Sequence, residues 1–282
     1  MPVVVTELYR HPVKSCRGEQ LQVATVQRWG FDGDRRWMIV DADGECVTAR
    51  EHHRMVLVRP ELVDGGVLLH GPHADELFVA TPSGDPVGIT VHKRGPYPAL
   101  PASADAHGWF STLIGEPVRL VHQADPGARA VNPVFGGPDA RVSLADAYPF
   151  LVASVASLAD LNAHISRGPL SHEGPLPMRR FRPNIVVAGA DAWAEDGWRR
   201  VRIGDVTFRA VKGCDRCVLT TVDPDTGTHG KEPIATLARI RRWDGATWFG
   251  MQLVPDEPFG TVRVGDTFEV LESVDAPDGP PR

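Results

Sequence analysis

The chain has 282 residues, 42 % of them hydrophobic, with 30 Lys and Arg against 36 Asp and Glu and a formal charge of -6. That is enough apolar material for one large domain or two moderate ones. The negative balance gives no general attraction to nucleic acid or to anionic lipid, so neither is an expected partner.

The opening MPVVVTELYRHPVKSC has only a short apolar run before Glu7 and Arg10. It reads as neither a secretory signal nor a membrane span, and a cytoplasmic protein is expected. Four cysteines in so long a chain do not make a disulfide framework, and reduced thiols are expected. The 28 Gly and 25 Pro are spread through short segments, as in a β-rich protein with many turns.

In chain order, strands are predicted over 3–9, 21–27, 37–40 and 46–49, the last two joined by DADG. VLVRPELVDGGVLLHGP and LFVATPSGDPVGITVH each read as strand, turn, strand, which suggests a small barrel or sandwich. ADAHGWFSTLIG is a helix with Trp109, Phe110 and Leu113 on one face and Gly115 as C-cap. A turn-rich stretch follows, with the domain junction placed near residue 125. SVASLADLNAHI is a second helix, N-capped by Ser154, with Val155, Leu158, Leu161 and Ile165 in one stripe.

RPNIVVAGA then reads as a buried strand. WRRVRIGDVTFRAVKGC reads as a hairpin across Gly-Asp, a form that GTVRVGDTFEVLE repeats. The end, ESVDAPDGPPR, reads as disordered. The fold class expected is mainly β with a few helices (α+β), divided into 1–125, 126–273 and a tail over 274–282.

Cys214 and Cys217, in VKGCDRCVLTTVDPDTG, are the most distinctive pair. A structural zinc site needs two further ligands at suitable spacing; Cys16 and Cys46 are isolated in sequence, and the eleven histidines show no paired arrangement. A dithiol redox site needs a helix N-terminus, whereas VLTTV favours extended chain. If the segment is extended, residues three apart face opposite sides and one thiol alone serves a site. Arg216 and Lys212 favour a thiolate there, and Cys217 is the choice; two structural thiols in a strand are the alternative.

Three cationic segments are weak by themselves. HPVKSC sets Lys14 and Ser15 after a proline, without the spacing of a P-loop. GDRRW offers Arg35, and FRPNIVV puts Arg182 and Asn184 at the mouth of an apolar strand, where a ligand or a salt bridge would satisfy them.

Taken in order, HPVKSCRG, GDRRWMIVDADGECVTARE, FRPNIVV, GCDRCVLTTVDPDTG, KEP and GTVRVGD resemble the MOSC family, in the branch carrying an N-terminal MOSC β-barrel domain that includes amidoxime-reducing components. The resemblance spans about residues 3 to 271. It implies an N-terminal β-barrel domain plus a MOSC β-barrel domain, and a molybdenum cofactor (Mo-molybdopterin) whose metal is ligated by Cys217, with Cys214 as a buried partner. Lys14, Ser15 and Arg35 match the positions that hold the cofactor phosphate, and Arg182 and Asn184 those on the pterin side. Arg216 and Asp146 are further cofactor-binding candidates.

The implied reaction is reduction of small N-hydroxylated compounds (amidoximes, hydroxylamines, N-hydroxylated bases) by oxygen-atom transfer to molybdenum. No cysteine follows Cys217, so the implied electron donor is a separate ferredoxin-, flavodoxin- or cytochrome b5-like protein. A carrier that binds the cofactor or handles sulfur without turnover is the competing class.

Overall fold

Short strands with alternating apolar residues cannot bury their faces singly, and this chain resolves that by pairing them into four sheets. The computed structural model describes residues 2–72, 75–257, 259–276 and 278–282. It is mainly β, with 39 % of residues in strands and four α-helices among those described.

The largest sheet runs, in order, Phe268–Ser273, Trp198–Ile203, Val206–Asp215, Ala246–Pro255, Phe150–Ser154, Ile185–Ala188, Val4–Arg10 and Glu19–Leu21, with Arg242–Trp243 attached to Ala246–Pro255. Among the described strands of this sheet, Phe150–Ser154 and Ile185–Ala188 alone pair in parallel, and helix Val155–Ser166 makes the crossover between them. Ser154 caps that helix through the amide of Ala156, as predicted. With Val23–Gln27, Gly30–Phe31 and Gly260–Arg263, this sheet encloses one core containing Leu8, Val26, Phe31, Phe150, Val201, Phe208 and Val262.

The second core lies around Trp37, Met55, Leu69, Phe110 and Leu120. Helix Ala104–Ile114 packs onto it, begun by Ser103 and ended by Gly115 at φ 91°. That left-handed C-cap is the one the sequence indicated.

The strand pairing does not follow the division at residue 125. Val4–Arg10 pairs with Ile185–Ala188, and Val23–Gln27 with Gly260–Arg263, so strands within the first 31 residues complete the barrel of the second half, while Val13 and Cys16 between them pack into the other core. Their alternation marks them as half-buried strands but carries no information about which distant edge they meet.

Other local readings are corrected for similar reasons. Arg59–Val63 and Gly66–His70 form the expected hairpin. Leu77–Ala80 instead adds to Gly66–His70, and Val87–Val91 pairs with Arg94–Pro101 in another sheet. Residues 46–49 make one bridge to Val40 rather than a strand. The Gly204 turn does join a hairpin, whereas the strands around Gly265 pair elsewhere. The tail expected to be disordered folds back: the Gly213 amide donates to Pro281 O at 2.7 Å, and Arg282 pairs with Asp244 at 2.6 Å.

Candidate active site

Lys14 and Ser15 lie in the turn after Val4–Arg10, pinned by the Lys14 amide donating to Trp37 O at 2.8 Å. The Arg35 amide donates to His11 O at 2.7 Å, and the Leu144 amide to Arg35 O at 2.9 Å. Three loops distant in sequence are thereby joined. Around them opens a cavity of about 240 Å³.

Lys14, Ser15, Arg35, Asp146, Arg182, Asn184, Arg216 and Cys217 all line this cavity. Ser15, Arg35 and Arg182 have φ of 70°, 47° and 53°. Each such left-handed non-glycine residue costs on the order of 1–3 kcal/mol, a strain found where surrounding structure fixes a functional geometry.

The lining contains six cations, Lys14, Arg35, Arg50, Arg180, Arg182 and Arg216, against the carboxylates Asp146 and Asp215. Lys14 is buried, and its ammonium donates to Leu144 O at 2.9 Å and to Asp146. Burial lowers the Lys14 pKa, and Asp146 offsets part of that. Burial would raise Asp146, but Lys14, His92 and Arg50 outweigh it and hold the carboxyl well below its ordinary range. Arg50 reaches Asp146 at 2.6 Å. Its own charge is opposed by burial and favoured more strongly by Asp146 and Cys217.

The strand mouth is braced differently. Asp34, buried, accepts from the His11 amide at 2.7 Å and pairs with Arg35 at 2.5 Å. Burial opposes its ionisation, yet Arg35 and His11 pull it down to about 2. Asn184 Oδ1 accepts from Arg35 and from the Leu151 amide, each at 3.2 Å, while its Nδ2 donates to Tyr9 O. Its amide therefore fixes Arg35 more than it faces the cavity. Arg182 donates to Cys16 O at 2.6 Å, and burial next to Arg35 lowers it to about 10.

The cysteine segment departs from the extended chain expected. Val206–Asp215 ends before Cys217, and Val218–Thr221 forms a 3₁₀ turn in which Thr220 and Thr221 hydroxyls donate to Cys217 O and Val218 O. Threonine hydroxyls that satisfy nearby carbonyls favour such a turn over a strand. Because the chain turns there, Cys214 and Cys217 do not face opposite sides; both line the cavity. Arg216 donates to Cys214 Sγ at 2.8 Å and to Phe181 O at 2.7 Å. Burial raises the Cys214 thiol, and Arg216 counters in part.

Arg50, Arg180 and His92 were not singled out from sequence. Arg50 and Arg180 stand within or beside the quoted TARE and FRPN segments, but nothing local distinguishes them from solvated arginines. Arg180 donates to Thr221 O at 2.9 Å and pairs with Asp223 at 3.0 Å, tying the cysteine turn to the Arg182 segment. His92 meets Asp146 at 3.2 Å; that contact and Cys46, against some burial, raise its pKa to about 9.

The chain matches the family model of the MOSC N-terminal beta barrel domain over residues 2–117 and that of the MOSC domain over 139–269. It is 34 % identical over 293 residues to mitochondrial amidoxime-reducing component 1 of Mus musculus and of Homo sapiens, covering 95 % of this chain and 82 % of each relative. Mitochondrial amidoxime reducing component 2 of Bos taurus is 33 % identical, with 93 % and 81 % covered. The crystal structure of the YUAD protein from Bacillus subtilis aligns over 98 % of both chains at 12 % identity and a TM-score of 0.43.

These relatives are named as mitochondrial components, so the cytoplasmic location expected from sequence is withdrawn. Lack of a secretory-type run bears on one export route and assigns no compartment. No helix among the described residues is long and apolar enough to cross a membrane.

Proposed function

This chain belongs to the MOSC family, in the company of the amidoxime-reducing components, and from that premise we propose that it is a molybdenum-cofactor reductase of N-hydroxylated compounds. The observation that carries the reading is the convergence, from distant parts of the sequence, of six cations and two thiols on one cavity. A phosphate-bearing cofactor needs such charge-assisted donors to offset its desolvation, and a soft metal needs a thiolate.

The residues fit the group. The donor set matches its chemistry, with six cations suited to a phosphate-bearing group and two thiols suited to a soft metal on one cavity. Lys14, Ser15 and Arg35 would hold the phosphate, Arg182 the pterin side, and Cys217 the metal. Asn184 would act by fixing Arg35, and Arg216 by bracing the cysteine turn against Phe181. When bound, the cofactor supplies the two-electron, oxygen-accepting chemistry that no side chain here possesses.

The chain's own part is binding, orientation and charge. Asp146, kept ionised, anchors Lys14 and Arg50, so both cations stay directed at the cavity. Arg50 stands beside Cys217 as well as Asp146, which places a cation next to the thiol in the cavity. Overall, an amidoxime takes two electrons and two protons to give an amidine and water. We propose that the electrons come from a separate protein of the ferredoxin, flavodoxin or cytochrome b5 kind.

The test uses full-length protein expressed in a cofactor-competent host, with a reduced viologen dye as electron source. Dye oxidation should depend on added benzamidoxime and be abolished in Cys217→Ala. A fully metal-loaded protein without turnover would overturn the reductase reading in favour of a cofactor carrier.

A further inference from the structure

Outside the cavity, one set of three metal-ligating side chains converges among the described residues: Glu45, Cys46 and His92, whose donor atoms lie within 4.8 Å of one another. Cys46 was isolated in sequence, and the fold places it beside a histidine 46 positions later. The Cys46 amide donates to Thr90 O at 3.1 Å, which fixes the segment against strand Val87–Val91. His92 sits at the tip of the hairpin that this strand makes with Arg94–Pro101.

Val91 pairs with Arg94, leaving His92 and Lys93 as a two-residue loop with φ of 52° and 62°. Such loops ordinarily use Asn-Gly, because both positions require positive φ. Here the geometry carries the imidazole back over Cys46.

The spacing suits coordination. Cys46 Sγ is 3.2 Å from Glu45 Oε1 and 3.7 Å from His92 Nδ1. Ligands at Zn–S and Zn–N/O bond lengths on a tetrahedron stand about 3.4–3.7 Å apart. Small rearrangement of two side chains would therefore close the set.

The surrounding contacts are those that orient metal ligands. His92 Nε2 lies 3.2 Å from Asp146 Oδ1; in the tautomer whose Nε2–H donates to that carboxylate, Nδ1 is the lone-pair donor toward Cys46. Arg50 also approaches Nε2, at 3.2 Å, but its charge is engaged by Asp146. Glu45 is held by the Thr90 hydroxyl and the Lys93 amide. One carboxylate and one thiolate neutralise a divalent ion, and the three donors line an open pocket through which it can enter.

We propose that Glu45 Oε1, Cys46 Sγ and His92 Nδ1 form a site for a thiophilic divalent cation of the zinc class, with one position open to water and with His92 linked outward to Asp146. Binding displaces the Cys46 thiol proton, and any proton on Nδ1, to solvent. Nothing in this depends on the cavity holding a cofactor.

The experiment is titration of the full-length protein with Co²⁺, followed by displacement with Zn²⁺. One equivalent should produce a thiolate-to-cobalt charge-transfer absorption that zinc removes. The absorption should persist in a Cys214→Ser/Cys217→Ser double variant, which excludes the cavity thiols, and vanish in Cys46→Ser. His92→Gln should weaken binding at least tenfold, and Asp146→Asn by roughly tenfold with the absorption retained. Far-UV circular dichroism of the metal-free variants checks their folding. Absence of the absorption in folded wild type, or its survival in Cys46→Ser with loss in the double variant, would overturn the site.

Discussion

Lys14 shows how burial changes the meaning of a cation. Its side chain is 5 % exposed and that of Arg35 11 %, so these two cations are themselves shielded from ionic screening, although Asp146, the partner of Lys14, is 48 % exposed. Lys14→Ala or Arg35→Ala should lower the molybdenum-to-protein ratio severalfold, by nearly the same factor at low and at high ionic strength. Gel filtration at two salt concentrations followed by elemental analysis checks this; a steeply salt-dependent loss would place the binding charges at the surface instead. Cys214, bonded to Arg216 rather than hidden behind the strand, gives a second residue-scale expectation. Cys214→Ala should keep the metal content near the wild-type ratio, as measured by the same analysis, and loss equal to that in Cys217→Ala would contradict a single thiolate ligand.

At the scale of elements, the turn from Ala194 to Gly197 before strand Trp198–Ile203 carries a buried acid, Glu195, bonded by Ser157 at 2.8 Å. Burial pushes its carboxyl from the ordinary 4.5 up to about 7, against that hydrogen bond. Because the folded value lies above the unfolded one, the contribution of Glu195 is fully present below pH 4.5 and is lost as pH rises through about 7. Denaturant melts from pH 4 to 8 should show wild type losing about 3 kcal/mol relative to Glu195→Gln across that window. A constant difference would mean that the acid titrates alike in the folded and unfolded chain, with no upward shift from burial.

Elements also set the limit of what was readable. Ser154 and Gly115 announced their helix ends because caps are local chemistry. Val218–Thr221 was read as extended because β-branched residues favour strands, while the hydroxyl bonds that make it a turn exist only once the carbonyls of Cys217 and Val218 are placed. The candidate residues came from motif order; that Asn184 braces Arg35, that Arg50 and Arg180 line the same cavity, and that His92 meets Asp146 from outside it, depends on strand registers that no local pattern encodes.

Across the whole molecule, the N-terminal strands belong to the C-terminal barrel. Val5, Leu8, Val26 and Phe31 pack into the same core as Phe150, Val201 and Phe208. A fragment of residues 126–282 lacks them and should show no cooperative thermal unfolding and no fixed near-ultraviolet dichroism. Adding a separate 1–123 chain should restore both; a cooperative melt of the 126–282 fragment alone would show that the barrel closes without them. The same interweaving places Lys14, Arg35 and Arg50 opposite Arg182, Arg216 and Cys217, so the cavity exists only in the intact fold.

The most direct measurement is molybdenum and pterin content of the full-length protein purified from a cofactor-competent host. One molybdenum and one pterin per chain are predicted, both reduced severalfold in Lys14→Ala/Arg35→Ala, with molybdenum lost in Cys217→Ala. Protein folded and free of molybdenum, or holding it undiminished without the Cys217 sulfur, would contradict the account.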